Sequence, residues 1–214
     1  TVEPREPVPD GIADLPALQR YADLVAAGSG PLALDAERAS GYRYGQRAYL
    51  VQVRRDGAGT ALIDPTGVPD LSVLQEASEG VEWILHAATQ DLPCLAEVGL
   101  YPTSLFDTEL AGRLLGRERV SLAALVESEL GQHLEKGHGA TDWSVRPLSA
   151  AQLRYAALDV ELLVELPHRR PDEIDEQLGG VGGERLAVPA FAQSRTHAPS
   201  LYAGGALQLT SPLG

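Results

Sequence analysis

The chain has no methionine, one cysteine and one lysine, and only 5% of its 214 residues are aromatic. A single cysteine, Cys94, cannot form an internal disulfide, so a reducing cytoplasm is the expected compartment; within "LPCLAEV" it reads as a small core residue. No apolar run is long enough to span a bilayer and no charged-then-apolar leader is present, so no membrane association is expected. With methionine absent, Thr1 is not expected to be the native start. Positive charge is scarce: 17 Lys and Arg stand against 30 Asp and Glu, a formal net charge of −13, which argues against a general polyanion-binding surface. The distribution is uneven. Residues 61–100 hold seven acids and no base, whereas residues 31–60 hold three acids and five arginines. Any phosphate-facing surface is therefore local, with Arg38, Arg43, Arg47, Arg54 and Arg55 its first candidates. Charge alone equally describes a solvated strand edge.

At 44% hydrophobic, the chain can bury a substantial core and is expected to form one main domain. Residues 1–13, rich in Pro and acids, read as a flexible lead-in. Leu15, Leu18, Tyr21, Leu24 and Val25 then recur at helical spacing, predicting a helix that ends near Gly28. "PLALDAE", "AYLVQVR" and "TALIDP" read as three strands whose short links suit an antiparallel meander. A helix "DLSVLQEAS", a strand "EWILHA" and a helix "TQDLPCLAEVG", opening at Thr89 with Pro93 in its first turn, continue the chain. That order predicts an α/β fold with a mixed sheet, three antiparallel strands followed by parallel crossovers, flanked by helices. From residue 105 the pattern is helical, ending with a long helix that opens at Ser149. Residues 169–214 have no sustained period and much Gly, Pro and Ala, and read as a low-complexity, disordered tail. The domain boundaries are thus 1–13, 14–168 and 169–214.

The informative residues are acids at element ends. Asp35 and Glu37, two apart after the apolar run "LAL", share a strand face, and two like charges held side by side need a cation, a shared proton or solvent. Asp91 lies in the first turn of a helix, where an ordinary dipole role is available. Asp159 stands between Leu158 and Val160 inside the last helix, where a lone buried carboxylate would be costly. Tyr155 precedes it by four residues, on the same face. His86 reads as a satisfied histidine at a strand end, Asp107 as a helix cap, and Trp143 as a loop anchor.

Together these residues have an order: D-x-E on a first strand, D after a later strand, Y-x-x-x-D on a final helix. The sequence here resembles the ribonuclease D group of DEDD-type 3′-to-5′ exonucleases, in the subclass with Tyr in its last motif. "LDAE", "YLVQV", "LIDP", "HAATQDLPCL", "LFDTELAGRLLG", "LEKGHGATDWSVRPLS" and "QLRYAALDVELL" are similar to that family's segments in the same order, over residues 31–166. "TDWSVRPLSAAQLRYAALDV" is the most specific part. The resemblance implies a ribonuclease H-like exonuclease fold and two divalent cations, Mg2+ or Mn2+, which prefer oxygen ligands. It implies that Asp35, Glu37, Asp91 and Asp159 are metal ligands and that Tyr155 acts on the attacking water. Lys136, Arg146, Arg154 and Arg38 are the candidates for gripping the substrate strand.

Two departures accompany the resemblance. The family commonly places an aromatic directly after D-x-E, where this chain has Arg38. Ribonuclease D proteins usually continue into helical HRDC domains, and nothing after Pro167 resembles one, as expected of a truncated or frame-altered product. The implied activity is metal-dependent 3′-to-5′ exoribonuclease action releasing nucleoside monophosphates, in the context of transfer RNA maturation. The alternatives are a DNA exonuclease using the same acids and a non-catalytic nucleic-acid-binding scaffold.

Overall fold

A computed structural model describes residues 2–39, 45, 47–134 and 141–166. The proposed tail and Lys136 lie outside these residues. Helix α1, Leu15–Ala27, starts where the Asp14 side chain accepts the Ala17 N–H at 2.8 Å, with Pro16 in its first turn, where a missing N–H costs nothing. Its buried stripe is Leu18, Tyr21, Ala22 and Val25; Leu15 and Leu24 are half exposed. Gly28 ends the helix beside the sheet, where a Cβ would stand 2.7 Å from the Asp56 carbonyl oxygen.

Strands β2 (Ser29–Arg38), β3 (Ala48–Asp56) and β4 (Gly59–Ile63) form the expected antiparallel meander. After helix α2 (Ser72–Ala77), strand β5 (Glu82–Leu85) pairs parallel with β2, and β6 (Ser104–Asp107) pairs parallel with β5. A two-residue strand β1 (Gly11–Ile12) lies parallel to β4 and completes the order β1-β4-β3-β2-β5-β6. Helix α3 is Leu92–Glu97, α4 is Thr108–Leu114, α5 is Leu122–Leu130 and α6 is Ala150–Glu165.

Both faces of the sheet are covered, which is why its strands are nearly continuous apolar runs. Leu32, Leu34 and Ala36 of β2 pack with α1, α2 and α3 on one side, whereas Ala33 and Ile84 pack with α5 and α6 on the other. Asp35 and Glu37 continue the Ala33 side of the strand, toward α6. Among the described residues no helix is long and apolar enough to cross a membrane.

Three expectations are corrected. The helical reading from residue 105 missed β6, a short edge strand whose "SLFD" runs without a turn signal into α4; Asp107 ends the strand and caps the helix. Thr89 does not open α3: residues 88–90 form a 3-10 turn and Asp91 is the flanking residue. Residues 2–12 are not a loose lead-in. The Val2 N–H donates to the His133 carbonyl at 3.1 Å, Glu3 pairs with Arg154, and Glu6 pairs with Arg54 at 3.2 Å. The Arg5 N–H donates to Glu161 Oε1 at 3.0 Å and its guanidinium reaches Glu165 at 2.6 Å. Two of the three acids in this segment, Glu3 and Glu6, are spent on arginines distant in sequence.

Exposed pairs of this sort contribute little, but Glu161 is buried on α6. Deleting residues 1–9 strands that carboxylate, a loss of about 2 kcal/mol, or roughly 4–8 °C in Tm for a domain of this size. Differential scanning fluorimetry checks this, and Glu161→Gln in the shortened chain should recover part of the loss.

Candidate active site

The carboxyl-terminal ends of β2 and β5 lie side by side because the strands are parallel neighbours, with Leu32 opposite Trp83 and Ala33 opposite Ile84. Chain leaving these ends reaches a common cleft, as in open α/β sheets generally. β2 delivers Asp35 and Glu37. β5 runs into His86 and then Ala87, held in the left-handed region at φ 54°. That turn is fixed from outside: Asp107 accepts the N–H groups of Ala87 and Ala88 at 3.1 and 2.9 Å, as well as those of Glu109 and Leu110 in its own helix. Asp91 follows. Its side chain makes no cap hydrogen bond and turns instead to the cleft.

The third contribution comes from α6. Its start is fixed by a reciprocal capping box: Ser149 Oγ accepts the Gln152 N–H and the Gln152 side chain accepts the Ser149 N–H. One turn in, Tyr155 and Asp159 are stacked at i and i+4, joined by a hydrogen bond between hydroxyl and carboxylate. Fully buried Trp143 packs against Tyr155 at 6.4 Å between ring centroids and 39° between planes, which gives the expected loop anchor its purpose.

Carboxylate oxygens of Asp35, Glu37 and Asp159 lie within 4.8 Å of one another. With Arg38, His86, Asp91 and Tyr155 they line an open cleft of about 210 Å³. All five residues of the D-x-E, D, Y-x-x-x-D pattern therefore face one space, from positions as distant in sequence as 35 and 159. Asp159 Oδ1 is buried and has no hydrogen-bond partner among the described residues. An oxygen-only donor set with an unsatisfied buried oxygen fits a hard divalent cation.

The electrostatics express the same need. Burial, then the neighbouring Asp35, Asp159 and Asp91 carboxylates, pushes Glu37 up to about 10. Burial and Asp35 push Asp91 up to about 8. Asp35 and Asp159 are also raised, in both cases mainly by burial. Arg38 opposes the rise at Asp35, Glu37 and Asp91. Burial also raises the Tyr155 hydroxyl, followed by Asp159 and Glu37, so it stays protonated at neutral pH.

The proposed substrate-gripping bases divide. Arg38 lines the cleft. Arg146 is engaged elsewhere: its guanidinium binds Asp64 at 2.6 Å and donates to the carbonyls of Trp143, Val145 and Tyr49, bracing the loop before α6. Arg154 pairs with Glu3 of the N-terminal segment. Sequence reasoning missed Gln52, fully buried opposite Asp35 on β3, whose amide donates to Asp35 Oδ2 at 3.2 Å and lies 3.5 Å from Glu37 Oε1. The signal was a lone amide in the apolar run "YLVQV". His86 is satisfied as expected, its Nδ1 2.9 Å from Thr108 Oγ1, yet it also lines the cleft.

Raised carboxyl pKa values fix a sign. The folded, ion-free chain holds protons that the unfolded chain releases near pH 4, so stability is fullest below that pH and is lost as pH climbs toward about 8 to 10. In chelator, Tm should fall between pH 5 and pH 9, and Asp35→Asn should raise Tm at pH 8 by about 2–5 °C by removing one of the repelling charges. A thermal melt series in EDTA reads both.

Comparison with known proteins agrees with this geometry. Residues 11–172 match the family model described as 3′-5′ exonuclease. A ribonuclease D from Shewanella is 37% identical over 84% of this chain and 48% of its own length. A DNA polymerase I from Aquifex aeolicus is also 37% identical, over 66% of this chain and 24% of its own. Among solved structures, a protein from Bifidobacterium adolescentis superposes with a TM-score of 0.76 at 49% identity, covering 82% of this chain and 42% of that one. Escherichia coli ribonuclease D, an exoribonuclease involved in structured RNA processing, superposes with a TM-score of 0.63 at 32% identity, covering 79% of this chain and 48% of its own. The chain thus spans about half the length of the ribonuclease D relatives. It belongs to the 3′-5′ exonuclease family, with an exonuclease domain of the ribonuclease D type.

Proposed function

We propose that the chain is a divalent-metal-dependent 3′-5′ exoribonuclease that removes nucleoside monophosphates from single-stranded RNA ends in the cytoplasm, with transfer RNA 3′ ends as a substrate class. The observation that carries the reading is the convergence of Asp35, Glu37 and Asp159 within 4.8 Å, with the Tyr155 hydroxyl on Asp159. Asp35, Glu37 and Asp159 would hold one Mg2+ or Mn2+, and Asp35 with Asp91 a second. When bound, such a pair supplies charge stabilisation to the attacking and leaving oxygens of a phosphoryl displacement.

The chain's own residues do the rest. Hydrolysis forms a bond from a water oxygen to the terminal phosphorus and breaks the bond to the 3′ oxygen of the preceding nucleotide, which leaves as a hydroxyl. Tyr155, held protonated, orients the water rather than taking its proton. Gln52 supports the Asp35 and Glu37 carboxylates from beneath, so they keep their facing orientation. Trp143 fixes the Tyr155 ring.

Ribonucleotide preference is supported by the ribonuclease D relatives. The DNA polymerase I relative supports a second reading, a DNA exonuclease built on the same acids. Matched single-stranded RNA and DNA oligonucleotides, incubated with Mg2+, Mn2+ or chelator and resolved by length, separate the two. Stepwise shortening of RNA from its 3′ end, abolished by EDTA and by Asp35→Asn, is the expected result. Comparable shortening of DNA would favour the second reading, and RNA binding without hydrolysis a scaffold. Tyr155→Phe should lower kcat by about 10²-fold or more and change KM little, because it removes a group that acts on water.

A further inference from the structure

Arg38 is placed where the strand would not by itself put it. Side chains alternate along β2, so Arg38 would point away from Asp35 and Glu37. The pairing with β3 slips at this point: Glu37 stands opposite Leu50 but Arg38 opposite Ala48. Such a bulge re-aims side chains, and Arg38 lines the same cleft as the acids. Its guanidinium donates to the Gln90 carbonyl at 2.9 Å and stands 3.6 Å from Asp91 Oδ1. The side chain is about one-fifth exposed, the Asp91 side chain one-fourteenth.

Those distances describe an uneven hold. The contact to Gln90 is a full hydrogen bond, whereas 3.6 Å to the carboxylate is beyond the 2.7–2.9 Å usual for a charge-assisted one. Arg38 is hinged on the backbone just ahead of Asp91 and held to Asp91 by charge. The fourth acid is thereby occupied by a cation of the chain itself.

We infer that Arg38 is a tethered cation that competes with divalent ions for Asp91 when RNA is absent and transfers to the substrate phosphate when RNA is present. This inference rests on the metal-dependent reading of the site. Its charge balance is complete: four carboxylates and one phosphodiester carry five negative charges, of which two divalent ions neutralise four and Arg38 the fifth. Arg38 is the only charged base among the described lining residues, since burial lowers the pKa of His86. A group that binds different partners in two states couples their ligands: ion binding at Asp91 releases Arg38 for phosphate, and phosphate draws Arg38 off Asp91.

Calorimetric titration of Mn2+ into the RNA-free chain tests the inference, comparing wild type with Arg38→Ala, Arg38→Lys and Asp35→Asn. Arg38→Ala should bind Mn2+ about three- to tenfold more tightly, because a competing positive charge is gone. Its KM for single-stranded RNA should rise, with the salt slope reduced by about 0.7, the loss of one phosphate contact. Arg38→Lys, which keeps the charge, should return both values toward wild type, which a purely structural role would not produce. Equal or weaker Mn2+ affinity in Arg38→Ala overturns the inference while leaving the metal site intact. No Mn2+ binding by wild type, or undiminished binding by Asp35→Asn, overturns the metal reading and this inference together.

Discussion

The mutual repulsion of carboxylates brought together between β2 and α6 is the constraint on which the other features of the site depend. Asp35, Glu37 and Asp159 are closer than three ionised acids can comfortably be, and burial denies them the water that would screen them. The ion-free chain answers with protons, with one guanidinium from Arg38 and with the Gln52 amide. None of these satisfies Asp159 Oδ1. A folded chain keeps so unfavourable an arrangement only if the surrounding structure fixes it and something else completes it.

The fold supplies the fixing through parts that look unrelated in sequence. The parallel pairing of β5 with β2 sets Asp91 beside Asp35, and Asp107, on the next strand over, pins the turn between His86 and Asp91. Arg146, Asp64 and Trp143 brace the segment that leads into α6, and the Ser149–Gln152 capping box sets where that helix begins, hence where Tyr155 and Asp159 fall. The N-terminal segment ties the far side of α6 through Arg5 and Glu161. Rigid support matters because the acids must be held against their own repulsion, and a loop could relax by moving apart.

What the sequence disclosed follows from the range of each interaction. The meander, α1 and α6 are written in local periodicity, and the five residues of the motif were legible because their types and order form a pattern that core packing does not require. Short or non-local features were not. β6 has four residues and no alternation, and β1 has two, so each exists only through its neighbour in the sheet. Arg146 carries the same charge as Arg38, and only the fold reveals that Asp64, 82 positions away, has claimed it. Gln52 was hidden because a buried amide and a solvated one look alike until the partner strand is in place.

That Asp35, Glu37 and Asp159 form one cation site can be read from anomalous diffraction of crystals grown or soaked with Mn2+. A manganese peak within ligand distance of a carboxylate oxygen from each of the three is the expected result. Manganese bound elsewhere on the chain, with these three carboxylates left without an ion at saturating concentration, would contradict it.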